Sequence, residues 1–382
     1  MMKTLSNFNF KGKTVLLRTD INSDVPEGSK KIIESERIKE AAITINELRM
    51  KKAKVVVLAH QGKPGKRDFT DLSLHSRFLN KYAKIKFVSD IIDTKARTSI
   101  KNLKNGEAIL LDNVRKIKDE FNPGKNKLTK FFVSLCDIYV NDAFSVCHRK
   151  HTSIVSFPKY LKSCAGRILE REINALKKVK LKDTLYVLGG AKPEDNIKLL
   201  KGNKVLACGL FGQTCLLAKG KNLGFQNKFL KKVGVDNKLL KIIRGKMKKT
   251  RVLTPVDFAI KVNGKRQELE LEDFPSKYEI FDIGKQTMNK FSKEIRKARS
   301  IYMKGPAGYA TEKQFAKGTE VFLKTIASSR GFSLIGGGHL SDAIKKSGIS
   351  RKKFGHISLS GGALLNYIAG EKLPGLEVLG IK

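Results

Sequence analysis

One unit repeats along the whole chain and constrains the fold more than any other feature. A short run of β-branched or leucine residues is followed by a turn with Gly, Asp, Asn or Pro, and then by a longer stretch with helical periodicity. The apolar runs are continuous instead of alternating, which is typical of strands buried on both faces of a parallel sheet. The sequence therefore predicts a doubly wound α/β architecture. The candidate strands span residues 14–18, 54–58, 86–88, 108–111, 137–140, 184–188, 204–207, 251–253, 300–303, 331–335 and 356–358.

The candidate strands fall into two groups, five before residue 160 and six after residue 180. A chain of 382 residues with 41% apolar residues can build a core in each of two or three domains. The helical spacing of residues 167–176 predicts one helix that bridges two doubly wound parallel-sheet lobes, which we expect to be joined by a hinge. We expect a first lobe over 1–163, a second over 164–371, and a tail, 372–382, that packs back on the first.

The charge of the chain is strongly unbalanced, with 77 Lys and Arg against 36 Asp and Glu, or a formal net charge of +41. A basic nucleic-acid-binding protein is therefore an alternative, and residues 241–251 carry six positive charges in eleven positions. However, no nucleic-acid-binding motif appears, tryptophan is absent, and aromatic residues do not alternate with the basic clusters as base stacking requires. We expect non-specific binding at low salt, without a specific nucleic-acid partner.

The sequence also indicates in which cellular compartment the protein is expected. Its longest apolar runs reach about five residues, whereas a membrane span needs about 18 or more. The first residues lack the apolar segment of a secretory signal, and the five cysteines are odd in number without a C-x-x-C pair. We therefore expect a cytoplasmic protein with reduced thiols and no membrane partner.

Polar clusters follow strand after strand in the first lobe. Ligands of open α/β sheets bind beyond the carboxyl ends of the strands, so these positions are candidates for a site. Arginine matches phosphate and carboxylate oxygens bidentately, and a converging set predicts a small, multiply anionic substrate. The alternative is a solvated basic face, but Arg37, Arg115 and Arg149 lie in or just after turns. The cluster residues are Asp20, Asn22, Arg37, His60, Lys63, Arg115, His148, Arg149 and His151.

Turns in the second lobe supply backbone instead of side chains. Gly189-Gly190, Gly336–Gly338 and Gly361-Gly362 each stand between a strand and a predicted helix. Glycine lets the main chain approach an anion, and helix N-termini present free N–H groups, so these turns predict a polyphosphate ligand, with Lys192 as a nearby point charge. Neither a P-loop nor a G-x-G-x-x-G fingerprint is present, so the nucleotide site must be of another kind.

The ordered motifs closely resemble those of the phosphoglycerate kinase family, especially its archaeal form, over essentially the whole chain. About a dozen motifs in family order leave little room for chance. They are residues 18–22, 36–38, 59–64, 111–115, 139–144 with 148–149, 188–192, 255–258, 282–284, 305–308, 315–319, 336–338, 358 with 361–363, and 373–375.

The resemblance implies reversible phosphoryl transfer from 1,3-bisphosphoglycerate to ADP, giving 3-phosphoglycerate and ATP, with two lobes closing on a hinge. It also implies Mg²⁺, as Mg-ADP or Mg-ATP, and a monomer. Its substrate-binding positions are Asp20, Ile21, Asn22, Arg37, His60, Gln61, Gly62, Lys63, Arg115 and Arg149. Its nucleotide-binding positions are Lys192, Glu312, Gly337, Gly338, His339 and Leu340. Its catalytic positions are Arg37, Lys192, Gly338 and Gly361, with Arg37 moving onto the transferring phosphoryl group.

Several residues depart from the family pattern. Lys63 replaces an arginine, which keeps the charge but loses the bidentate fork. Asn196 stands where bacterial and eukaryotic relatives have a second lysine, so one positive charge on the transferring group is missing or supplied elsewhere. His339-Leu340 replaces Asp-Thr, which leaves Asp195 as the candidate magnesium ligand.

Two more departures concern the second lobe. Thr311 falls where the family has a nucleotide-ribose glutamate, with Glu312 displaced by one, and Leu359-Ser360 replaces Thr-Gly. The departures concentrate on the nucleotide lobe, so an altered nucleotide preference or a slower, repurposed homologue is an alternative. A structural protein on a decayed kinase fold is disfavoured, because the first-lobe set is intact.

Overall fold

The computed structural model describes residues 2–29, 31–179 and 181–381. The strands are β1 (Thr14–Thr19), β2 (Lys54–Leu58), β3 (Lys86–Val88), β4 (Ala108–Leu111), β5 (Ile138–Asp142), β6 (Lys162–Ala165), β7 (Leu185–Leu188), β8 (Val205–Ala207), β9 (Val252–Leu253), β10 (Asp257–Val262), β11 (Lys265–Glu270), β12 (Ile280–Ile283), β13 (Ser300–Lys304), β14 (Phe332–Gly336) and β15 (His356–Ser358). The α-helices are α1 (Glu36–Met50), α2 (Ser73–Leu79), α3 (Thr94–Lys101), α4 (Lys127–Val133), α5 (Thr152–Val155), α6 (Arg167–Leu176), α7 (Pro193–Ile197), α8 (Gly209–Ala218), α9 (Phe225–Lys232), α10 (Asn237–Met247), α11 (Lys285–Lys297), α12 (Lys317–Ala327), α13 (Gly338–Lys346), α14 (Gly362–Ile368) and α15 (Pro374–Glu377). Over the described ranges, none of these helices has the length and apolar composition that a membrane crossing requires.

The first six strands form one parallel sheet in the order β3-β4-β2-β1-β5-β6. Its four central strands are buried on both faces, as their continuous apolar runs predict. In β2, Val55 and Val57 belong to one core cluster, whereas Val56 and Leu58 belong to another. Successive side chains of a strand point to opposite faces, so helices must cover both sides of this sheet.

A second six-stranded parallel sheet has the order β15-β14-β13-β7-β8-β9. On α11, the apolar residues Met288, Phe291 and Ile295 recur at helical spacing and are buried in the core cluster that includes strand residues such as Ile301 and Ile335. The predicted α/β class with two doubly wound sheets is confirmed.

Four strands were not predicted from the sequence. β10, β11 and β12 form a separate antiparallel sheet in the order β11-β10-β12, and β6 is a short edge strand. The signal for the hairpin was the Asn263-Gly264 pair, whose two residues have φ of 48° and 78° between β10 and β11. Asn-Gly is the strongest short hairpin signal, because both central residues of the favoured two-residue turn need positive φ.

The described chain forms two compact units. Unit 1 comprises Met1–Asn174 with Glu371–Lys382, and unit 2 comprises Ala175–Gly370. The predicted boundary at 163/164 lies about ten residues too early, because β6 pairs with β5 and so belongs to the first sheet. The predicted bridging helix occupies its expected residues as α6, and the boundary falls inside it. In the tail, the Gly375 N–H donates to the Cys147 carbonyl oxygen at 2.9 Å.

The N-terminus of α6 is held by a buried carboxylate, Asp142 at the end of β5. Its Oδ1 accepts the N–H groups of Ile168 and Leu169 at 2.7 and 3.1 Å. Burial raises the pKa of Asp142 to about 7, although hydrogen bonds from Thr44 and from these two N–H groups oppose the shift. The helix cap is therefore a carboxyl group that titrates near neutral pH.

Asp142 gives a prediction about stability and pH. Between its usual pKa of 3.8 and about 7, the folded chain keeps a proton that the unfolded chain has lost. Stability therefore falls as pH rises through this window, by up to about 1.4 kcal/mol per pH unit. Asp142→Asn removes that dependence, so its stability relative to wild type should rise steadily from pH 4 to 7. Urea unfolding midpoints at four pH values measure the difference; parallel curves for the two proteins would contradict it.

Candidate active site

Four neighbouring strands of the first sheet deliver polar residues to one edge. The strands β4, β2, β1 and β5 are adjacent and parallel, so the turns after them lie side by side. The segments that follow these strands carry Arg115, His60, Asp20 and Arg149 respectively. The sheet order thus gathers residues that are more than 120 positions apart in the sequence.

Arg37 lies in the first turn of α1 and pairs with Asp20. Its Nη1 is 3.3 Å from Asp20 Oδ2 and 3.4 Å from the Asn22 carbonyl oxygen. Burial raises the pKa of Asp20, but Arg37, the Ser145 hydroxyl and the Asn22 N–H outweigh it, and the pKa lies below its usual 3.8. Asp20 is therefore a stable anion, and it orients a guanidinium whose side chain is 27% exposed.

His60 lies at the centre of an arginine cluster. It is 4% exposed, and its Nδ1 is 3.0 Å from Arg18 Nη2. Burial lowers the pKa of His60 well below 6.5, and positive charge from Arg18, Arg115, Arg37 and Arg149 lowers it further. Positive charge from four guanidinium groups therefore acts on one buried imidazole, and such an electropositive edge of the sheet suits a polyanionic ligand.

Arg115 and Arg149 point buried donors into this cluster. Among the described residues, Arg115 Nε, Arg115 Nη2 and Arg149 Nε are buried without a hydrogen-bond partner, while Arg115 Nη1 donates to the Gly62 carbonyl oxygen. Burial lowers the pKa of Arg115 to about 10, and Arg18 and Arg149 contribute to the shift. Buried, unsatisfied donors are costly, so these nitrogens are suited to donate to an anionic oxygen.

The other sequence-predicted residues of this edge have different surroundings. Asn22 Oδ1 accepts the Gly62 N–H at 2.8 Å, which shapes the turn after β2. Gln61 is fully buried, and both ends of its side-chain amide are hydrogen-bonded within unit 1, so it organises the turn and is not free to bind substrate. Ile21 is a core residue that offers only backbone, and Lys63 is exposed.

The second sheet gathers its glycine turns in the same way. The strands β15, β14, β13 and β7 are adjacent and parallel, and each is followed directly or within a few residues by glycine. Gly337 has a φ of 105° just before α13, and a side chain there would meet nothing within 4 Å. The glycine is required by the backbone conformation, and the open space beside it lets a ligand approach the first N–H groups of α13.

A lysine that the sequence analysis did not name lies at this edge. Lys304 ends β13, its Nζ is 3.0 Å from Asn196 Oδ1 and 3.5 Å from Asp195 Oδ2, and its side chain is 16% exposed. Burial lowers the pKa of Lys304 below 10.5; Asp195 opposes the shift, and repulsion from Lys192 adds to it. Its position directly before Gly305-Pro306 at a strand end was the signal that could have identified it.

The remaining predicted residues of unit 2 are distributed differently. Lys192 and Gly361 are exposed and precede the first turns of α7 and α14, and Gly338 and His339 are exposed in the first turn of α13. Leu340 is fully buried in the core, so only its backbone can contact a ligand. Glu312 is ion-paired with Lys261 of β10 at 2.9 Å and accepts a hydrogen bond from Gln314, so its carboxylate is already engaged.

In the described part of the chain, no group of three or more His, Cys, Asp or Glu side chains could hold a metal ion. Asp195 offers a carboxylate oxygen at the edge of the second sheet that carries the glycine turns, and Lys304 is its neighbour there. Mg²⁺ commonly takes one or two carboxylates and completes its shell with phosphate oxygens and water. The residues therefore fit a cation that arrives with a nucleotide.

The comparisons agree with this geometry. Residues 5–371 match the family model for phosphoglycerate kinase. Phosphoglycerate kinase of Methanothermus fervidus is 40% identical over 397 residues, covering 98% of this chain and 96% of that protein. The crystal structure of the Pyrococcus horikoshii enzyme has a TM-score of 0.92 at 38% identity and covers 100% of this chain and 98% of its own. The structure of the Coxiella burnetii enzyme has a TM-score of 0.80 at 29% identity and covers 100% of this chain and 99% of its own. The chain belongs to the phosphoglycerate kinase family.

Proposed function

We propose that the chain transfers a phosphoryl group between 1,3-bisphosphoglycerate and ADP by binding one substrate on each unit. The observation that carries the assignment is the arginine cluster around His60, with buried donors of Arg115 and Arg149 that lack partners within the described residues. A small substrate with a phosphate and a carboxylate group satisfies such donors bidentately. Together with the family membership, this supports 3-phosphoglycerate as the ligand of unit 1.

On unit 1, the residues have distinct roles. Arg115 and Arg149 hold anionic oxygens of 3-phosphoglycerate, and Asp20 and Asn22 accept from its hydroxyl group or orient Arg37. Arg37, whose side chain is 27% exposed, contacts the transferring phosphoryl group. Phosphoryl transfer needs in-line positioning and positive charge around the equatorial oxygens more than covalent chemistry, which suits a set of arginines.

On unit 2, backbone and lysine side chains bind the nucleotide phosphates. The first N–H groups of α13, at Gly338, His339 and Leu340, and the turn at Gly361 face the anion with the positive end of the helix dipole. Lys192 and Lys304 add two ammonium groups, whose mutual repulsion a phosphate relieves. We propose that Lys304 supplies the positive charge that Asn196 does not.

The reaction balances without a general base. A terminal oxygen of the ADP β-phosphate attacks the acyl phosphate, the new P–O bond forms, and the bond between phosphorus and the carboxyl oxygen breaks. The carboxylate that leaves carries no proton, so none must be supplied. His60, with its lowered pKa, is accordingly a neutral hydrogen-bond donor and not an acid. Mg²⁺ bound to the nucleotide, with Asp195 as one ligand, would neutralise charge on the phosphates.

We propose further that the enzyme acts as a cytoplasmic monomer. The arginine cluster and the glycine turns each lie within one unit of a single chain, so neither substrate needs residues of a second copy. All five cysteines are buried and free in the described chain, which is compatible with a reducing compartment. Light scattering after gel filtration measures the oligomeric state, and a stable dimer would contradict the proposal.

The experiment that tests the function is a coupled assay of ATP formation from 1,3-bisphosphoglycerate, run with ADP and with GDP. Activity with either nucleotide supports phosphoryl transfer, and the ratio of the two kcat/KM values reports the nucleotide preference. A protein that only binds nucleic acid would form no product. The same protein without 1,3-bisphosphoglycerate is the control for contaminating kinases.

Substrate binding by unit 1 gives a separate prediction. Arg115→Ala should weaken the binding of 3-phosphoglycerate by about 10²-fold or more, because each charge-assisted hydrogen bond contributes about 1.5–3 kcal/mol. Arg115→Lys should recover only part of the affinity, since an ammonium lacks the planar fork. Isothermal titration measures both. Unchanged affinity for the alanine variant would remove Arg115 from the site, and unchanged ADP binding serves as the internal control.

A further inference from the structure

Two fully buried charged residues of unit 1 are linked to each other: Arg18 of the arginine cluster and Glu120. Arg18 interrupts the apolar run of β1 and is 0% exposed, and Glu120, in the short 3₁₀ helix Lys118–Phe121, is 0% exposed as well. Buried charges are costly unless paired and hydrogen-bonded. The two are linked through a third buried residue, Ser153 of α5.

The links are short and continuous. Ser153 Oγ donates to Glu120 Oε1 at 2.7 Å, and its backbone N–H donates to Glu120 Oε2 at 2.9 Å. Arg18 Nε donates to Ser153 Oγ at 2.9 Å, and Arg18 Nη1 donates to the Thr19 carbonyl oxygen. Arg18 Nη2 is 3.0 Å from His60 Nδ1. The chain Glu120–Ser153–Arg18–His60 therefore runs from a buried anion to the imidazole of the site.

The chemistry of each group sets the direction of every bond. The Ser153 hydroxyl has one hydrogen, which Glu120 accepts, so its oxygen is left to accept from Arg18. A guanidinium only donates, so His60 Nδ1 must accept from Arg18 Nη2. In a neutral imidazole the proton then resides on Nε2. Arg18 thus determines which ring nitrogen of His60 is a donor, and Glu120 and Ser153 hold Arg18 in position for that contact.

We propose that Glu120, Ser153 and Arg18 form a positioning relay that holds His60 as its Nε2–H tautomer, ready to donate one hydrogen bond to the bound substrate. Glu120 is also the anion that offsets the buried Arg18 charge, and His151 Nδ1 lies 3.5 Å from its Oε1. Arg18, Ser153 and Glu120 are each fully buried, so in this proposal they act through His60. The last step, donation to the substrate, rests on the assignment of 3-phosphoglycerate to unit 1.

The test measures the tautomer directly. Nitrogen-15 NMR of histidine-labelled protein distinguishes Nδ1–H from Nε2–H, and the His60→Gln variant assigns the resonance. Wild type should show the Nε2–H form at pH 7. Ser153→Ala, which removes the link between Glu120 and Arg18, should give a mixture of tautomers, and Glu120→Gln, which removes the charge, should do the same. Ser153→Thr, which restores the hydroxyl, should return the single form.

Steady-state kinetics separate positioning from structure. We expect Ser153→Ala to raise KM for 3-phosphoglycerate by about tenfold with kcat changed less than about threefold, since one hydrogen bond to substrate is weakened. The matched control is Ser156→Ala, which removes a neighbouring buried hydroxyl whose oxygen accepts the Gly124 N–H and which lies outside the relay. An unchanged His60 tautomer in both Ser153→Ala and Glu120→Gln overturns the relay, whatever the activity. A changed tautomer with an unchanged KM would support the relay, but it would contradict the claim that His60 donates a hydrogen bond to the substrate.

Discussion

Arg37→Ala is expected to lower kcat by about 10³-fold or more, the range found when an arginine that stabilises a transferring phosphoryl group is removed. Arg37 is held at the cluster by Asp20 at 3.3 Å, and it lies in the first turn of α1. Charge that develops on the equatorial oxygens would lose this partner. Single-turnover ATP formation measures the effect on the chemical step.

Arg171→Ala is the matched control for Arg37, because Arg171 also pairs with a carboxylate, that of Glu40, but is more exposed at 48% of its side chain. Its loss should leave kcat within about twofold, as exposed ion pairs contribute about 0–1 kcal/mol. If Arg37→Ala keeps kcat within about tenfold of wild type while its circular dichroism is unchanged, Arg37 is not the residue that stabilises the transition state.

Lys304→Asn is expected to lower kcat/KM for ADP by about 10²-fold or more, as the loss of one preorganised charge at a phosphate does. The structure offers a sharper test, because Lys304 Nζ lies 3.0 Å from Asn196 Oδ1. Exchanging the two residues, as in the double variant Asn196→Lys with Lys304→Asn, moves the ammonium group by only a side-chain length. The double variant should recover activity to within about tenfold of wild type, and steady-state kinetics of all four proteins measure the interaction energy.

Lys198→Asn is the control for this pair, since Lys198 also donates to an asparagine oxygen, Asn366 Oδ1 at 3.3 Å, but from an exposed position on unit 2. It should leave kcat/KM unchanged. Equal activity of wild type and Lys304→Asn would exclude Lys304 from the site. A single variant that is inactive and a double variant that stays inactive would show that the ammonium must come from β13 itself.

The fold was predicted best for the strands of the two parallel sheets, because burial on both faces alone gives them a recognisable sequence pattern. Continuous apolar runs report burial on both faces, and every one of the eleven predicted strands is present in the structure. The hairpin of β10 and β11 was missed because β11 has no buried residue and its sequence is mostly charged or polar, so it lacks a continuous apolar run. The misplaced lobe boundary has a related cause, since β6 is a short edge strand with only two buried residues.

Some family motifs turn out to stabilise the fold and not the site. Asp257, which begins β10, caps α11 by accepting the Gln286 and Thr287 N–H groups at 2.7 Å each. Asp282 is buried and accepts from Arg266 at 2.8 Å and from the Gly318 N–H at 2.9 Å. A sequence motif does not distinguish a carboxylate that caps a helix N-terminus from one that binds a ligand, because both roles need the same acceptor oxygens.

By itself, the sequence determined the α/β class, the bridging helix and the candidate turns, because burial periodicity and turn chemistry are local properties. Only the tertiary structure decided which candidates act together. It brings positive charge from four arginines to His60, buries the side chains of Gln61 and Leu340, and places Lys304 beside Asn196. The physical reason is that pairing between distant strands and the burial of each polar group depend on the whole sheet, which no short window of residues contains.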